Sequence, residues 1–123
     1  MLPRALVSIV DDDESVRESL PDLLREFGFT TRSFASAREF LASDAIGQTQ
    51  CLILDIAMPG MTGFELQREL KVRRQEIPIV FITAMGDENL RPRVVERGAV
   101  ECLSKPFSEA ALLDAVRAAL RVS

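Results

Sequence analysis

The sequence has no histidine, no tryptophan and no tyrosine, and only two cysteines among 123 residues. Without histidine it lacks the commonest general base near neutral pH and the commonest metal-ligating ring, and it cannot itself donate a phosphoryl group from a histidine. Cys51 and Cys102 both sit in apolar runs that read as strands. They are expected to be small buried hydrophobes in a reducing compartment rather than a disulfide or redox pair. No apolar run approaches the ~20 residues of a membrane span, and no basic stretch followed by an apolar one opens the chain; a cytoplasmic location is the expectation. An excess of basic residues is also missing. A net charge of −4 provides no cationic face for a phosphate backbone and argues against nucleic acid as a direct partner. What remains is a composition, 47% hydrophobic and 28% charged, that can bury one core without disulfides or metal staples.

Apolar runs and helical periodicities alternate five times along the chain. Ala5–Val10 is a short apolar run that stops at Asp11-Asp12-Asp13. Val16, Leu20, Leu23, Leu24 and Phe27 then recur at helical spacing, with Gly28 as terminator. Pro21 falls inside this pattern, where the loss of a backbone donor should kink or loosen the helix. Phe29–Phe34 alternates as a strand near a sheet edge does, and Ser36-Ala37-Arg38-Glu39 has the form of a capping box opening a second helix. The continuous apolar strand Gln50–Leu54 ends at Asp55. A Pro- and Gly-containing loop over residues 58–63 leads to a helix from Phe64 to about Val72. Pro78–Ile82 is a fourth strand ending at Thr83. The next helix could be capped by Asp87, but a start near Asn89 puts Pro92 in the first turn, where it costs little. Ala99–Ser104 is the fifth strand, Lys105-Pro106 breaks it, and Ser108 opens a last helix through Leu112, Leu113, Val116 and Leu120.

Strands that are apolar on both faces belong to parallel sheets covered by helices on each side. Alternating strands and helices therefore predict a doubly wound α/β domain. Ligand sites in such sheets lie at the carboxyl ends of the strands. That edge would gather Asp11-Asp12-Asp13, Asp55, Thr83 and Lys105. Carboxylates meeting at one point repel unless a cation joins them, and a ligand set of oxygens alone suits a hard ion such as Mg²⁺ or Mn²⁺. A carboxylate beside such a metal can attack phosphorus, and the metal, a lysine and a hydroxyl are the groups needed to hold three phosphoryl oxygens. Each residue alone has a plainer reading: a solvated helix start for the aspartates, a structural threonine, a surface lysine. A carboxylate ending an all-apolar strand is harder to explain by stability.

Four segments, Ile9–Asp13, Leu52–Gly63, Phe81–Ala84 and Leu103–Phe107, together resemble the motifs of response regulator receiver domains in two-component signalling, over essentially the whole chain. The first and last segments are most similar to FixJ-type receivers, which commonly precede a helix-turn-helix output domain. The resemblance implies a flavodoxin-like, five-stranded parallel sheet of order 2-1-3-4-5 with five helices, forming one domain over residues 1–123. It implies that Asp55 accepts a phosphoryl group from a sensor histidine kinase. It implies Mg²⁺ (or Mn²⁺) held directly by Asp12, Asp55 and the backbone carbonyl of Ala57, and by Asp11 largely through water. Lys105 would pair with the phosphoryl oxygens, Thr83 would swing to hydrogen-bond them, the Lys105–Pro106 bond would be cis, and Gly63 would permit the loop after the site. The domain would not be an enzyme in the ordinary sense, although it would catalyse its own phosphorylation. Output would pass through the fourth helix, fifth strand and fifth helix, around Leu90, Arg91, Arg93, Arg97 and residues 108–120, which is also a possible homodimer face. DNA would be reached only through an output domain absent from this chain. Arg121-Val122-Ser123 ends where a linker would begin, so a fragment of a longer transcription regulator is expected rather than a stand-alone receiver.

Two features depart from the family pattern. Cys102 occupies the place, three before the lysine, that usually holds the aromatic residue of an in–out switch. Ala57 and Met85, which would flank the phosphoryl group, cannot orient an attacking water, so a long-lived phosphoryl group is expected. The rival reading is a haloacid-dehalogenase-like phosphatase with Asp11 as nucleophile, since Asp11-Asp12-Asp13-Glu14-Ser15 formally fits its motif; it leaves Asp55 unexplained. A cofactor-binding flavodoxin would need a Gly/Ser/Thr-rich phosphate loop after the first strand, where three aspartates would instead repel. A degenerate receiver that only binds partners would not need the full set of site residues.

Overall fold

Every residue of Leu6–Val10, Cys51–Asp55 and Ile79–Thr83 is buried. In the computed structural model, which describes residues 5–84 and 91–122, these are β1, β3 and β4, the three inner strands of one parallel sheet. Thr30–Phe34 (β2) and Glu101–Ser104 (β5) form its edges, and the order is β2-β1-β3-β4-β5. The alternating pattern of β2 is accounted for by that edge position, where only Phe34 is fully buried. Glu14–Glu26 (α1), Ala37–Leu41 (α2), Gly63–Val72 (α3), Arg91–Glu96 (α4) and Glu109–Val122 (α5) complete the alternation, with a single 3-10 turn at Asp44–Gly47 between α2 and β3. The sheet order, strand direction and five helices are those expected.

Successive residues of an inner strand point to opposite faces, and the core divides accordingly. Val7, Ile9, Cys51, Ile53, Val80 and Ile82 pack against Leu20 and Leu24 of α1 and Leu112 and Val116 of α5. Val10, Leu52, Leu54, Phe81 and Cys102 pack on the other face against Phe40 of α2, Leu66 and Leu70 of α3 and Val94 of α4. Cys51 and Cys102 thus lie buried on opposite faces of the sheet, and no disulfide joins them. Burial pushes the Cys51 thiol up to about 12, so it is inert as a nucleophile. Ser8 is the one hydroxyl in β1. Its Oγ lies 2.6 Å from Thr49 Oγ1, which in turn donates to the Ala45 carbonyl at 2.7 Å and so satisfies the buried pair.

Helix boundaries follow local chemistry, with some differences from expectation. Pro21 is buried and leaves α1 continuous from Glu14 to Glu26. At α2, Ser36 accepts from the Glu39 amide at 3.1 Å, but the Glu39 carboxylate reaches back to the Ala35 amide, one residue before the cap. The reciprocal capping box is at α3 instead: Thr62 Oγ1 accepts from the Glu65 amide and Glu65 Oε1 accepts from the Thr62 amide. Ser108 caps α5 by accepting from the Ala111 amide at 3.0 Å. Pro92 falls in the first turn of α4, as its tolerated position requires. The expected start at Asn89, the Asp87 alternative, Met85 and Leu90 lie outside the described residues.

Candidate functional site

The three consecutive aspartates at the end of β1 do three different things. Asp11 is fully buried: Oδ1 accepts from the Asp13 amide at 2.9 Å, and its backbone carbonyl accepts from Arg17 Nη1 at 2.9 Å. Its Oδ2 stands 3.1 Å from the Lys105 ammonium. The approach is not aligned as a hydrogen bond, so Oδ2 is buried with a counter-charge but no donor. Asp12 is exposed to solvent at the rim. Asp13 is the N-cap of α1, accepting from both the amide and the hydroxyl of Ser15, and these two hydrogen bonds hold its carboxyl below the usual range. Asp13 is therefore committed to the helix, and only Asp11 and Asp12 face the site.

Asp55 ends β3 between β1 and β4 and is 7% exposed. Burial, and next the charge of Asp11, push its carboxyl up to about 7, against the opposing pull of Lys105. Carboxylate oxygens of Asp11, Asp12 and Asp55 all lie within 4.8 Å of one another. The loop that follows is held tightly beneath Asp55. The Ile56 amide donates to the Ile82 carbonyl and the Gly63 amide to the Ile56 carbonyl, at 3.0 and 2.9 Å. A Cβ on Gly63 would meet the Asp55 carbonyl oxygen at 2.5 Å and the Ile56 Cα at 3.0 Å, which is why residue 63 has no side chain. The sequence suggested only that Gly63 permits the loop; its need is close approach to the backbone of Asp55.

Thr83 is buried at the end of β4, and its carbonyl accepts from the Lys105 amide at 2.9 Å. Thr83 is in register with Ser104, so β5 delivers Lys105 one residue beyond the threonine. The Lys105–Pro106 bond is cis. Ala57 is exposed on the loop two residues after Asp55. Asp11, Asp12, Asp55, Thr83 and Lys105 thus come to one edge of the sheet, while Met85, also expected there, lies outside the described residues. Arg17, which holds the carbonyl of Asp11, was not anticipated; its only signal is an arginine in the first turn after an acidic strand end. Thr62, read as part of the loop, caps α3.

The chemistry of the cluster fits a divalent cation. It offers three carboxylates, one of which has a buried oxygen without a donor, and no nitrogen or sulfur ligand. That set suits a hard cation such as Mg²⁺ and leaves positions for water and phosphate oxygens. The phosphatase reading fares worse, because the second carboxylate of its motif, Asp13, is consumed as the cap of α1. No helix among the described residues is long and apolar enough to cross a membrane.

Comparison with known proteins agrees. The sequence profile described as the response regulator receiver domain matches residues 7–117. Nodulation protein W of Bradyrhizobium diazoefficiens is 47% identical over 116 residues, covering 94% of this chain and 51% of that protein. Transcriptional regulatory protein FixJ of Azorhizobium caulinodans is 38% identical over 120 residues, covering 97% and 57%. The crystal structure of FixJ-N superimposes with a TM-score of 0.86 at 34% identity, covering 98% of this chain and 96% of that one. The chain spans about half the length of the curated relatives it matches. Neither the profile nor these relatives support a haloacid-dehalogenase-like phosphatase. With five parallel strands in the order 2-1-3-4-5 and an acidic cluster at their carboxyl edge, the chain belongs to the response regulator receiver domain family of two-component signalling.

Proposed function

We propose that this receiver, over residues 1–123, takes a phosphoryl group from a sensor histidine kinase onto Asp55 and signals to a transcriptional output domain. The observation that carries the reading is the juxtaposition of a buried Asp55 with Asp11 and Asp12 within 4.8 Å, and of Lys105 at 3.1 Å from Asp11. Asp12, Asp55 and the Ala57 carbonyl would hold Mg²⁺ (or Mn²⁺) directly, with Asp11 acting largely through water. Bound there, the ion would neutralise the carboxylates and draw in phosphoryl oxygens.

The chain's own groups do the rest. Lys105 favours the ionised, nucleophilic form of Asp55. A carboxylate oxygen of Asp55 attacks phosphorus, and an O–P bond forms as the N–P bond to the donor histidine breaks. The electron pair leaves with the imidazole nitrogen, which takes a proton from solvent. The equatorial oxygens are then held by the Lys105 ammonium and the Thr83 hydroxyl. Ala57 and Met85, the residues that would flank the phosphoryl group, are apolar and would not orient a hydrolytic water, so a long-lived acyl phosphate is expected. The change biases a two-state equilibrium of α4, β5 and α5, the face for output or homodimerisation. DNA contact belongs to a separate output domain, in the cytoplasm.

Intact-protein mass spectrometry after incubation with Mg²⁺ and acetyl phosphate tests the assignment. One added phosphoryl group of ~80 Da is expected in the wild type and none in Asp55→Asn. An adduct that persists in Asp55→Asn and is lost in Asp11→Asn would return the nucleophile to Asp11.

A further inference from the structure

At the end of the sheet opposite the carboxylates, α3 and α4 finish side by side above the starts of β4 and β5. Between them lies a groove of about 730 Å³ with Leu70, Ile77, Ile79 and Val100 in its floor. Its rim carries Lys71, Arg74 and Arg97, against Glu76 as the one acid among the described lining residues. We propose that this groove docks an acidic peptide segment of a partner protein, one that alternates carboxylates with apolar side chains.

Three features carry the proposal. The first is charge: in a chain of net −4, the groove concentrates three cations, and among the described residues none of them pairs with a carboxylate. The second is preorganisation. The Arg97 guanidinium lies 4.7 Å above the Phe64 ring, and the Arg97 carbonyl is fixed by Gln67 Nε2 at 3.0 Å and Lys71 Nζ at 3.3 Å. A rim already held in place loses less conformational freedom on binding. The third is Arg74 itself. It sits at φ 59° just after α3, where glycine would be free of strain. An arginine at that position sets a cation at the groove mouth at a cost to the backbone.

The volume is within the about 300–1,000 Å³ of ordinary ligand sites, and the apolar floor sets the class of partner. A hydrated inorganic anion would use the rim and waste the floor. A nucleic acid would need a longer cationic track and aromatic faces for its bases, and the one ring nearby, Phe64, is covered by Arg97. Carboxylates on the rim with aliphatic side chains on the floor use both.

The test is an amide NMR titration of the uniformly ¹⁵N-labelled chain with two capped pentapeptides, Glu-Leu-Glu-Leu-Glu and Glu-Gly-Glu-Gly-Glu. The leucine peptide is expected to give saturable shifts confined to residues 70–79 and 97–100, with affinity well above that of the glycine peptide. Arg74→Gly relieves strain and so folds at least as well; it is expected to weaken binding roughly fivefold. Arg97→Met, which keeps the stem over Phe64, is expected to do the same. Equal binding of the two peptides, equal shifts from inorganic phosphate alone, shifts outside the groove, or an Arg74→Gly chain that binds as the wild type each overturn the proposal.

Discussion

The Lys105 ammonium stands 3.1 Å from Asp11 Oδ2, although β3 and β4 separate the strands that deliver them. One partner is fully buried and the other is 29% exposed, so the pair sits at the boundary of the protein's interior. It is the only ion pair that the Asp11–Asp55 cluster makes among the described residues. Replacing Lys105 by methionine should therefore destabilise the metal-free protein by about 1–2 kcal/mol, less than a fully buried pair would cost because water still reaches the lysine. Added Mg²⁺ should recover most of that loss, and urea denaturation with and without the ion measures both quantities. Phosphorylation of Asp55 by acetyl phosphate should slow in the same variant, since the phosphoryl oxygens lose a cation.

The raised carboxyl of Asp55 fixes a pH dependence. Its pKa is about 7 in the folded protein against 3.8 when unperturbed. Between those values the folded state binds more protons than the unfolded state, so stability falls as pH rises through that window. Metal-free wild type should accordingly show a urea midpoint that drops from about pH 4 to about pH 7. Asp55→Asn should flatten the drop and exceed wild type at neutral pH. Saturating Mg²⁺ should flatten it too, by favouring the ionised carboxylate. A wild-type midpoint that climbs steadily over this range without metal would contradict the burial-driven shift.

Gly63→Ala isolates the packing under Asp55, the proposed phosphoacceptor. The new methyl group would meet the Asp55 carbonyl at 2.5 Å, a backbone atom that cannot swing aside. Overpacking of this kind costs about 1–3 kcal/mol, and the strain falls on the residue that must be placed most accurately. A lower denaturation midpoint together with a slower mass gain from acetyl phosphate is expected. Normal stability and a normal rate would show that the β3–α3 connection yields freely.

Thr62→Ala removes one half of the α3 capping box and leaves the Glu65 amide without its side-chain acceptor. The expected cost is about 1 kcal/mol. Thr62→Ser, which keeps the hydroxyl, should recover most of it. Because Thr62 makes no hydrogen bond to Asp11, Asp12 or Asp55, magnesium affinity should stay at the wild-type value in both variants, and calorimetric titration checks this.

The sequence already displayed what depends on composition along a segment. Three runs apolar through most of their length read as strands covered on both faces, Phe29–Phe34 read as an edge, and the acidic, hydroxyl and ammonium groups were each placed at a strand end. It could not display what depends on the third dimension. Asp11, Asp12 and Asp13 look alike in a row, yet one is buried, one exposed and one a helix cap. Ser36 and Glu39 have the spacing of a capping box, and so do Thr62 and Glu65, but only the second pair closes both hydrogen bonds. Gly63 looked like an ordinary loop residue because its close approach to the end of β3 leaves no mark on its neighbours in sequence. Pro21 looked disruptive because the continuity of α1 depends on its buried setting, not on local propensity. The ties from Gln67 and Lys71 to the Arg97 carbonyl span 30 and 26 positions, and no periodicity connects them.

Residues 11, 55 and 105 come from the beginning, middle and end of the chain, and the sheet alone brings them together. No peptide cut from this protein, and no chain still emerging with β5 unmade, can contain the constellation. Any ligand of the carboxylates must therefore bind the folded population only, and its binding energy adds directly to the free energy of folding. The site acts as its own quality control: a molecule able to receive the signal is, for that reason, one that has finished folding.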